Sequence, residues 1–241
     1  MGWLMHIYAL DTCKTLSLLG QSIYFQGTWG RINSKHSALS VDNLPQVCAS
    51  LAAAGVQLKK PLSDDQSFDA CKEGVAYAVD PDGYYIALLP LPASSTSTPQ
   101  KSKWRFNHTF LRVKDIEESL LFYTSNLGMT VLKRVPYANR EQVFVGYYRN
   151  SEERDNWEKI LGREGLVELV QYHGTEKSDI KYHNGNDQPQ GFGHLCITVD
   201  DLDAACARLE GLSSTRWQKR LTDGRMKDVA FLLDPDGYWV E

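Results

Sequence analysis

A histidine, a helical stripe and an Asp-Pro-Asp-Gly turn follow one another twice in this chain. His36 matches His194 and Cys48 matches Cys206 at constant spacing, and the spacing to the turn then changes by a few residues, which a surface loop can absorb. Each copy of a repeated unit has to bury its apolar face in the same way. The repeat therefore limits the fold to architectures built from copies of one supersecondary unit.

Each copy predicts a strand, an amphipathic helix and further strands. In the later copy, Leu195–Val199 and Val229–Val240 are apolar runs bounded by Asp, Gly and Pro, a pattern typical of strands. Alternate side chains of a strand share a face, so His194 faces away from Leu195, and Glu241 shares its face with Trp239. One sheet face is expected to carry a His and a Glu from different strands, and a helix is expected to cover the opposite face.

A third strand–helix opening follows residue 105. Phe106–Val113 alternates as a strand with His108 on one face, and Asp115 followed by Glu118 is the capping signal of a helix that runs to Gly128. The three openings together predict three modules of the same kind.

Two further strands of the third unit are predicted at Val143–Tyr148 and Gly165–Gln171. The charged stretch Arg149–Arg163 between them predicts an exposed helical insertion. Glu168 lies inside the second strand, and a carboxylate within an apolar strand is costly to bury without a partner. Glu168 is therefore a candidate site residue, and an edge or surface position is the alternative.

The domain organisation follows from these units. The sequence predicts an α+β fold with residues 1–29 unassigned, a partial module at 30–92, a polar linker at 93–104 and a domain of two modules at 105–241. Curved sheets with helices on the convex side leave a concave side free for a ligand.

The composition of the chain limits the classes of partner that it is expected to bind. The net charge of -4 is spread along a chain that is 42% hydrophobic and 23% charged, without a Lys/Arg block, so we expect no nucleic-acid or membrane partner. No run reaches the roughly 20 apolar residues that cross a bilayer, and the amino end lacks a secretory signal. Five cysteines without CxxC spacing indicate a reducing compartment, which predicts a cytoplasmic protein.

Residues that can bind a metal ion lie on the predicted strands. Two imidazoles and two carboxylates suit Zn²⁺ or another borderline divalent ion that keeps positions open for substrate oxygens. The candidates are His108, Glu168, His194 and Glu241. From the pattern alone, a hydrogen-bonded structural histidine or an exposed one remains the alternative for each His.

Five segments carry a resemblance to a known family. They are Asn107-His-Thr-Phe-Leu-Arg-Val-Lys-Asp, Phe122-Tyr-Thr-Ser-Asn-Leu-Gly-Met, Gly191-Phe-Gly-His-Leu-Cys-Ile-Thr-Val-Asp-Asp, Asp223-Gly-Arg-Met-Lys-Asp-Val-Ala-Phe and Asp234-Pro-Asp-Gly-Tyr-Trp-Val-Glu. These segments resemble glyoxalase I, the lactoylglutathione lyases, in the two-domain eukaryotic form with four βαβββ modules of the vicinal oxygen chelate superfamily. The resemblance covers nearly all of 105–241, is weaker over 30–92, and is absent before about residue 30.

The resemblance implies a metal-dependent isomerase. Its ligands would be His108 and Glu168 from one module and His194 and Glu241 from the next, with Zn²⁺ as the cofactor and Ni²⁺ as the alternative. The substrate it implies is the hemithioacetal of methylglyoxal and glutathione, converted through an enediolate into S-D-lactoylglutathione. Glu241 is the expected base, and Glu168 is a ligand and second acid/base.

The resemblance also implies substrate contacts. Arg112 matches a position that binds a glutathione carboxylate, where bidentate pairing is available. The other matching positions belong to a loop over the substrate or to a cavity wall, and they are Lys219, Gly224, Met226, Lys227 and Trp239. Ordinary surface, turn or core usage is the alternative for each of these residues.

The chain departs from the family pattern at several positions. Tyr172 replaces a glutathione-binding Asn, Gln190 replaces an Arg, and Ala87 stands where the earlier copy would carry its carboxylate. Losing polar contacts of this kind is expected to weaken the affinity for the thiol substrate.

The recognisable first module of the family is also missing. Pairing of modules two and three would bring together His36, Ala87, His108 and Glu168, a site that lacks one carboxylate. A homodimer that pairs module three of one chain with module four of another would restore the four-ligand set.

Three functions remain open. The first is the glyoxalase I-type lyase, and the second is a truncated, weak or inactive relative that binds a metal or a small ligand. The third is an iron-dependent extradiol dioxygenase, which uses two His and one Glu and has no use for the second carboxylate of Glu241.

Overall fold

The computed structural model describes residues 36–59, 74–81, 83–92, 104–147 and 154–241, together with the backbone of three short strands before residue 26. In chain order the strands are β1 (Leu4–Met5), β2 (Lys14–Leu18), β3 (Gln21–Phe25), β4 (His36–Val41), β5 (Leu58–Lys59), β6 (Ala76–Val79), β7 (Tyr85–Pro90), β8 (Trp104–Arg112), β9 (Thr130–Pro136), β10 (Arg140–Gly146), β11 (Leu166–Tyr172), β12 (His194–Leu195), β13 (Ile197–Thr198), β14 (Arg216–Lys219), β15 (Phe231–Leu233) and β16 (Trp239–Val240). The α-helices are α1 (Leu44–Ala53), α2 (Ile116–Leu121), α3 (Trp157–Leu161) and α4 (Leu202–Glu210).

The chain forms two compact units, each of which combines separate stretches of sequence. The large-sheet unit contains residues 34–112 and 130–174, and the small-sheet unit contains residues 1–33, 113–129 and 175–241. Both units run across the predicted module boundaries, which stay predictions. The predicted linker, 93–104, lies outside the described residues except for Trp104, which begins β8.

The large-sheet unit is built on eight strands in the order β5-β6-β7-β4-β8-β11-β10-β9. At its centre β4 and β8 pair antiparallel, with Ala38 opposite His108. On either side β4 pairs parallel with β7, and β8 pairs parallel with β11. The two halves of this sheet therefore join through the strands β4 and β8, while helix α2, which follows β8 in the chain, belongs to the small-sheet unit.

Helix α1 follows from its sequence pattern. The Asn43 side chain caps its first turn by accepting a hydrogen bond from the Gln46 backbone N–H at 3.0 Å. Leu44, Val47 and Leu51 are buried at the spacing of one helical face. The predicted helix of the second module is thus present, and its apolar stripe is the face that packs inward.

The insertion between β10 and β11 differs from the prediction of an exposed helix over Arg149–Arg163. Its helix, α3, begins after Asn156, and residues 148–153 lie outside the described range. Ile160 and Leu161 are buried, and Ile160 belongs to an apolar cluster with Phe144 of the sheet. The prediction of exposure was wrong for the second half of this stretch, because two apolar residues among many charged ones are enough to attach the helix to the sheet.

The small-sheet unit contains the sheet β12-β16-β15-β14, a β1–β13 pair and a β2–β3 hairpin. Helix α2 begins at the predicted cap, where the Asp115 carboxylate accepts from the backbone N–H groups of Glu117 and Glu118. The Asp-Pro-Asp-Gly turn is closed by a 2.8 Å hydrogen bond from the Tyr238 N–H to Asp234 Oδ1. In the matching turn of the large-sheet unit, the Tyr84 N–H donates to Asp80 Oδ1 at 2.7 Å.

Cysteine pairing and membrane spans were both predicted to be absent. Cys48, Cys196 and Cys206 are free thiols, while Cys13 and Cys71 lie outside the described residues. Among the described residues, no helix combines the length and the apolar content that crossing a bilayer requires.

Candidate metal centre

Three ligand-type side chains converge inside the large-sheet unit. His36 on β4, His108 on β8 and Glu168 on β11 place their potential ligand atoms within 4.8 Å of one another. Glu168 Oε2 lies 3.0 Å from His108 Nε2 and 3.6 Å from His36 Nε2. His108 and Glu168 have 0% of their surface exposed and His36 has 9%. Neighbouring strands in register bring these residues to one face of the sheet.

Aromatic side chains surround this cluster. The Phe110 ring stacks on the His36 ring at 4.8 Å between centroids, and the Phe144 ring meets the His108 ring edge-on at 5.4 Å. Burial lowers the pKa of the His108 imidazole to about 3. The ring is therefore neutral near neutral pH, which is the form that binds metal ions.

The donor set fits a divalent cation. An ionised Glu168 carboxylate, which has no exposed surface, would place a negative charge in an apolar site, and this is costly unless hydrogen-bond donors or a cation compensate it. Two imidazole nitrogens and one carboxylate oxygen are a set found in metal sites that keep a position open. These three residues can therefore hold a metal ion.

Gln142 on β10 holds the carboxylate of the cluster. Its Nε2 donates a 2.8 Å hydrogen bond to Glu168 Oε1, and both side chains are buried. The bond occupies Oε1 and fixes Glu168 with Oε2 directed at the imidazoles.

Ala87 marks the position at which the large-sheet unit lacks the carboxylate that Glu241 provides in the later copy. Ala87 on β7 is fully buried, lies opposite Tyr77 in the sheet, and belongs to the same apolar cluster as Ala38. The Tyr77 ring in turn contacts His36 edge-on at 5.7 Å. A methyl group thus stands at the position where the later copy carries the Glu241 carboxylate, so the cluster lacks this ligand as the sequence predicted.

The other two predicted ligands form a pair in the small-sheet unit. The parallel pairing of β12 with β16 brings His194 Nε2 to 2.8 Å from Glu241 Oε2. The hydrogen bond from His194 lowers the pKa of the Glu241 carboxyl, against the opposing effect of partial burial. Burial, together with the nearby Glu241 charge, raises the pKa of the Cys196 thiol to about 12. The predicted face with one His and one Glu is therefore present.

Of the predicted substrate contacts, Arg112 lies in the large-sheet unit. Its guanidinium carbon stands 4.9 Å from the centre of the Tyr172 ring. Val170 pairs with Arg112 in the register of β11 and β8. The residue that replaces the family's Asn therefore supports the predicted carboxylate-binding Arg.

The remaining predicted contacts lie in the small-sheet unit. Lys219 Nζ donates to the carbonyl oxygens of Met226 and Val229, at 2.7 and 2.8 Å, and so ties together the loop that follows β14. Lys227 Nζ donates to the Thr222 carbonyl at 2.7 Å. Gly224 has a positive φ of 63°, and the Trp239 ring packs on the Phe231 ring. Their role as substrate contacts stays a prediction.

The sequence matches known proteins over most of its length. Residues 105–241 match the profile of the Glyoxalase/Bleomycin resistance protein/Dioxygenase superfamily. The chain belongs to this superfamily. The predicted resemblance and the predicted α+β glyoxalase fold are therefore confirmed.

Relatives within the superfamily are similar to the chain at moderate identity. It is 44% identical over 212 residues to the lactoylglutathione lyase of Schizosaccharomyces pombe, a match that covers 86% of this chain and 65% of that protein. It is 43% identical over 166 residues to the lactoylglutathione lyase of Pseudomonas putida, which covers 64% of this chain and 93% of that protein. The chain thus spans less than two thirds of the length of the yeast protein.

A solved structure supports the fold. Glyoxalase I from Zea mays superimposes with a TM-score of 0.60 at 21% sequence identity, covering 85% of this chain and 65% of that chain. At this identity the likeness establishes that the two proteins share the glyoxalase-superfamily fold.

The predicted four-ligand set did not include His36, and the sequence did not predict that Gln142 holds a ligand by a hydrogen bond. His36 was matched to His194 in the repeat, but the four-ligand set left it out. Gln142 had a weaker signal, as a polar residue in the apolar run of β10. Because strand pairing decides which polar residue faces a carboxylate, the sequence alone gave no partner for Gln142.

Proposed function

We propose that the chain is a glyoxalase I-type lyase, which isomerises the hemithioacetal of methylglyoxal and glutathione to S-D-lactoylglutathione with bound Zn²⁺ or Ni²⁺. The observation that carries the proposal is the buried cluster of His36, His108 and Glu168. The names of the Schizosaccharomyces pombe and Pseudomonas putida relatives support the choice of reaction.

The four predicted ligands form two donor groups, one in each unit. We propose that His108 and Glu168 bind an ion together with His36, and that His194 and Glu241 form the second group. When bound, the ion supplies Lewis-acid polarisation of the substrate carbonyl. The walls of Phe110 and Phe144 exclude water from the first group, which strengthens every electrostatic interaction inside it.

Two carboxylates are proposed for proton transfer. One of them takes the proton from the carbon that bears the hydroxyl and the sulfur and returns it to the former carbonyl carbon, while the hydroxyl proton passes to the former carbonyl oxygen. The two shifts balance, so the reaction needs no other reagent. Glu241 is proposed as the base because the His194 hydrogen bond keeps it ionised. Glu168 is proposed as a ligand and second acid/base, held by Gln142.

Substrate binding is proposed for the residues that the family resemblance assigned. Arg112, supported by the Tyr172 ring, is proposed to pair with a carboxylate of the glutathione moiety. The proposed contacts of the loop and wall are Lys219, Gly224, Met226, Lys227 and Trp239.

A homodimer in the cytoplasm completes the proposal. His194 and Glu241 supply only two ligands, and a second copy of the chain is the proposed source of others. In the large-sheet unit β8 already pairs with β4 and β11, so its two edges are occupied and the further ligands are not proposed to come from a new pairing of β8 with a second copy. Free thiols at Cys48, Cys196 and Cys206 are those of a protein in a reducing compartment.

The donor set of the cluster favours a second candidate function. Two histidines and one carboxylate are the ligands of non-haem iron oxygenases, and Ala87 removes the second carboxylate that a His₂Glu₂ site would have. We propose iron-dependent dioxygenase chemistry on a small aromatic substrate as the alternative. Catechol with Fe²⁺ under air is the probe that tests it.

The deciding experiment measures formation of S-lactoylglutathione from methylglyoxal and glutathione at several concentrations of purified chain loaded with Zn²⁺ or Ni²⁺. Glu168→Gln and Glu241→Gln are assayed separately, and circular dichroism checks that each variant is folded. Loss of turnover in only one variant assigns the reaction to that carboxylate. Activity per chain that rises with concentration supports the homodimer. Absence of turnover in a folded, metal-loaded chain refutes the lyase and leaves a metal-binding relative without this activity.

A further inference from the structure

Asn107 precedes His108 on β8, and its side chain reaches two different parts of the large-sheet unit. The side-chain Nδ2 donates to the carbonyl oxygens of Ile160, Leu161 and Arg163, at 2.8, 3.2 and 3.0 Å. These carbonyls lie at the C-terminal end of α3, where helix geometry leaves carbonyl oxygens to be paired by groups outside the helix, and the Ile160 carbonyl also accepts from the Arg163 N–H at 3.1 Å. Asn107 is only 1% exposed, so the three contacts are made away from water.

These contacts fix which way the carboxamide points. A carbonyl oxygen can only accept a hydrogen bond, so three of them around one atom identify that atom as the NH₂ nitrogen. The Oδ1 atom of Asn107 is then the atom that lies 2.7 Å from His108 Nδ1. Because an amide oxygen also only accepts, the proton of this bond belongs to Nδ1 of His108.

A β-bulge makes this contact between sequence neighbours. Side chains of consecutive strand residues ordinarily point to opposite faces. In the β4–β8 pairing, however, Ala38 lies opposite His108 and Leu39 lies opposite Phe106, so Asn107 is the extra residue of β8. Bulges of this kind re-aim a side chain and are common beside functional sites.

We propose that Asn107 is a positioning residue that holds His108 in the Nδ1–H tautomer and so presents the lone pair of Nε2 to the metal ion. The inference rests on the proposed metal site. In this tautomer Nε2 faces Glu168 Oε2 at 3.0 Å with no proton of its own between them, and a cation fits between two such donors. The same carboxamide ties the ring to α3, so one side chain contacts both the helix end and the ligand.

The chain contains a matched control for the helix contact. Arg105, two residues earlier on β8, donates from Nη1 to the Gly162 carbonyl at the same end of α3. The Arg105→Ala variant removes a contact to this end of the helix without touching the imidazole. Loss of a purely structural contact and loss of a ligand-positioning contact can therefore be told apart.

The test uses the full chain and begins without metal. Nitrogen–proton correlation NMR of the histidine rings, with His108 assigned by its absence in His108→Gln, is expected to show a protonated Nδ1 and an unprotonated Nε2. A protonated Nε2 in the metal-free wild-type protein would overturn the proposal, whatever the turnover with methylglyoxal and glutathione. This readout needs neither substrate nor product. A negative NMR result would therefore contradict the proposed tautomer, and a negative lyase assay would contradict the proposed reaction, each without deciding the other.

The second readout is Zn²⁺ affinity, measured by competition with a chromogenic chelator on variants shown to be folded by circular dichroism. Asn107→Ala is expected to lose about 10–100-fold in affinity, the usual effect of removing such a support, and to show a mixture of ring tautomers. Asn107→Asp keeps an acceptor for Nδ1–H and is expected to keep more affinity than Asn107→Ala. Arg105→Ala is expected to retain wild-type affinity. Unchanged affinity in Asn107→Ala, or an equal loss in Arg105→Ala, contradicts the positioning role, and both tests stand even if Asn107→Asp does not fold.

Discussion

Gln142 and Glu168 form a buried amide–carboxylate hydrogen bond of 2.8 Å across neighbouring strands. Exchange of the amide for an apolar side chain of similar size, in Gln142→Leu, leaves Glu168 Oε1 without this donor. We expect Zn²⁺ affinity to fall about tenfold or more, because the carboxylate is no longer held in one orientation. We also expect the free energy of unfolding to fall by about 1–3 kcal/mol, since a buried acceptor loses its partner.

Chelator competition and urea unfolding measure the two effects of Gln142→Leu. The matched control is Glu141→Gln, on the adjacent residue of β10, whose carboxylate pairs with Arg134 at 3.2 Å and takes no part in the cluster. Wild-type Zn²⁺ affinity in a folded Gln142→Leu protein would show that Glu168 needs no such support.

Ala87→Glu tests whether the missing carboxylate limits the cluster. Ala87 is fully buried on the face that Tyr77 shares with His36. A glutamate there is expected to tighten Zn²⁺ binding by supplying a fourth ligand. It is also expected to lower the stability of the metal-free protein by about 1–3 kcal/mol, because the site is already filled.

Ala87→Gln is the matched control, since it adds nearly the same volume without the charge. If Ala87→Glu and Ala87→Gln bind Zn²⁺ equally well in calorimetric titrations, the added carboxylate does not reach the ion. If Ala87→Glu alone gains affinity, the comparison also indicates that this position determines whether the site has one carboxylate or two.

The predictable parts of this molecule are those fixed by local pattern. The Asp115 cap of α2 and the His108 face of β8 follow from alternation and capping chemistry, which act within a few residues. The repeat placed His36 in the position of His194, so the module pairing that gathers His36 with Glu168 could be stated as an alternative. The cap, the strand alternation and the match between the repeats can each be read from the sequence without knowing which strands pair.

The unpredicted parts depend on contacts between distant residues. The bulge at Asn107 is defined only by the partner strand β4, since one extra residue has no meaning without a register. Burial of α3 depends on Ile160 finding the apolar cluster that contains Phe144, although the surrounding charges indicated exposure. The choice between His108 with His36 and His108 with His194 was likewise a question of strand pairing.

Asp234 gives the small-sheet unit a pH-dependent stability. Burial, followed by the nearby Asp236 charge, raises the pKa of its carboxyl from 3.8 to about 7, and the Tyr123 hydroxyl donates to it at 3.1 Å. The folded protein therefore keeps this proton at pH values where the unfolded chain has lost it. The stabilising effect of this proton is complete below the unfolded pKa, and it is lost as pH rises from about 4 through about 7.

Urea unfolding at pH values between about 4 and about 7 gives the free energy of unfolding of the wild-type protein and of Asp234→Asn. The effect of the Asp234 proton is the difference between the two proteins in how this free energy changes with pH. The wild-type protein is expected to lose on the order of a few kcal/mol more than Asp234→Asn as pH rises. Asp203→Asn, at an exposed position of α4, is the control and is expected to follow the wild-type slope. Parallel curves for wild type and Asp234→Asn would mean that the carboxyl titrates at its ordinary pKa.

Tyr172 is expected to influence how the proposed carboxylate-binding Arg112 meets its substrate. The guanidinium lies 4.9 Å over the Tyr172 ring, a contact typically worth about 0.5–2 kcal/mol. Tyr172→Ala removes this one contact of Arg112, so more of the ordering of its guanidinium has to take place at the moment of binding. We expect KM for the hemithioacetal to rise by about 2–10-fold with a smaller change in kcat, because the contact acts on binding and is remote from the proton transfer.

Steady-state kinetics on Tyr172→Ala and Tyr172→Phe separate the ring from its hydroxyl. Tyr172→Phe keeps the aromatic face and is expected to retain the wild-type KM, whereas Tyr172→Ala is not. Adding Arg112→Ala to Tyr172→Ala is expected to give no further increase in KM beyond that of Arg112→Ala alone, since Tyr172 acts only through the guanidinium. An increase in KM that is additive in the double variant would instead mean that Tyr172 contacts the substrate itself, in place of the Asn that the family carries at this position.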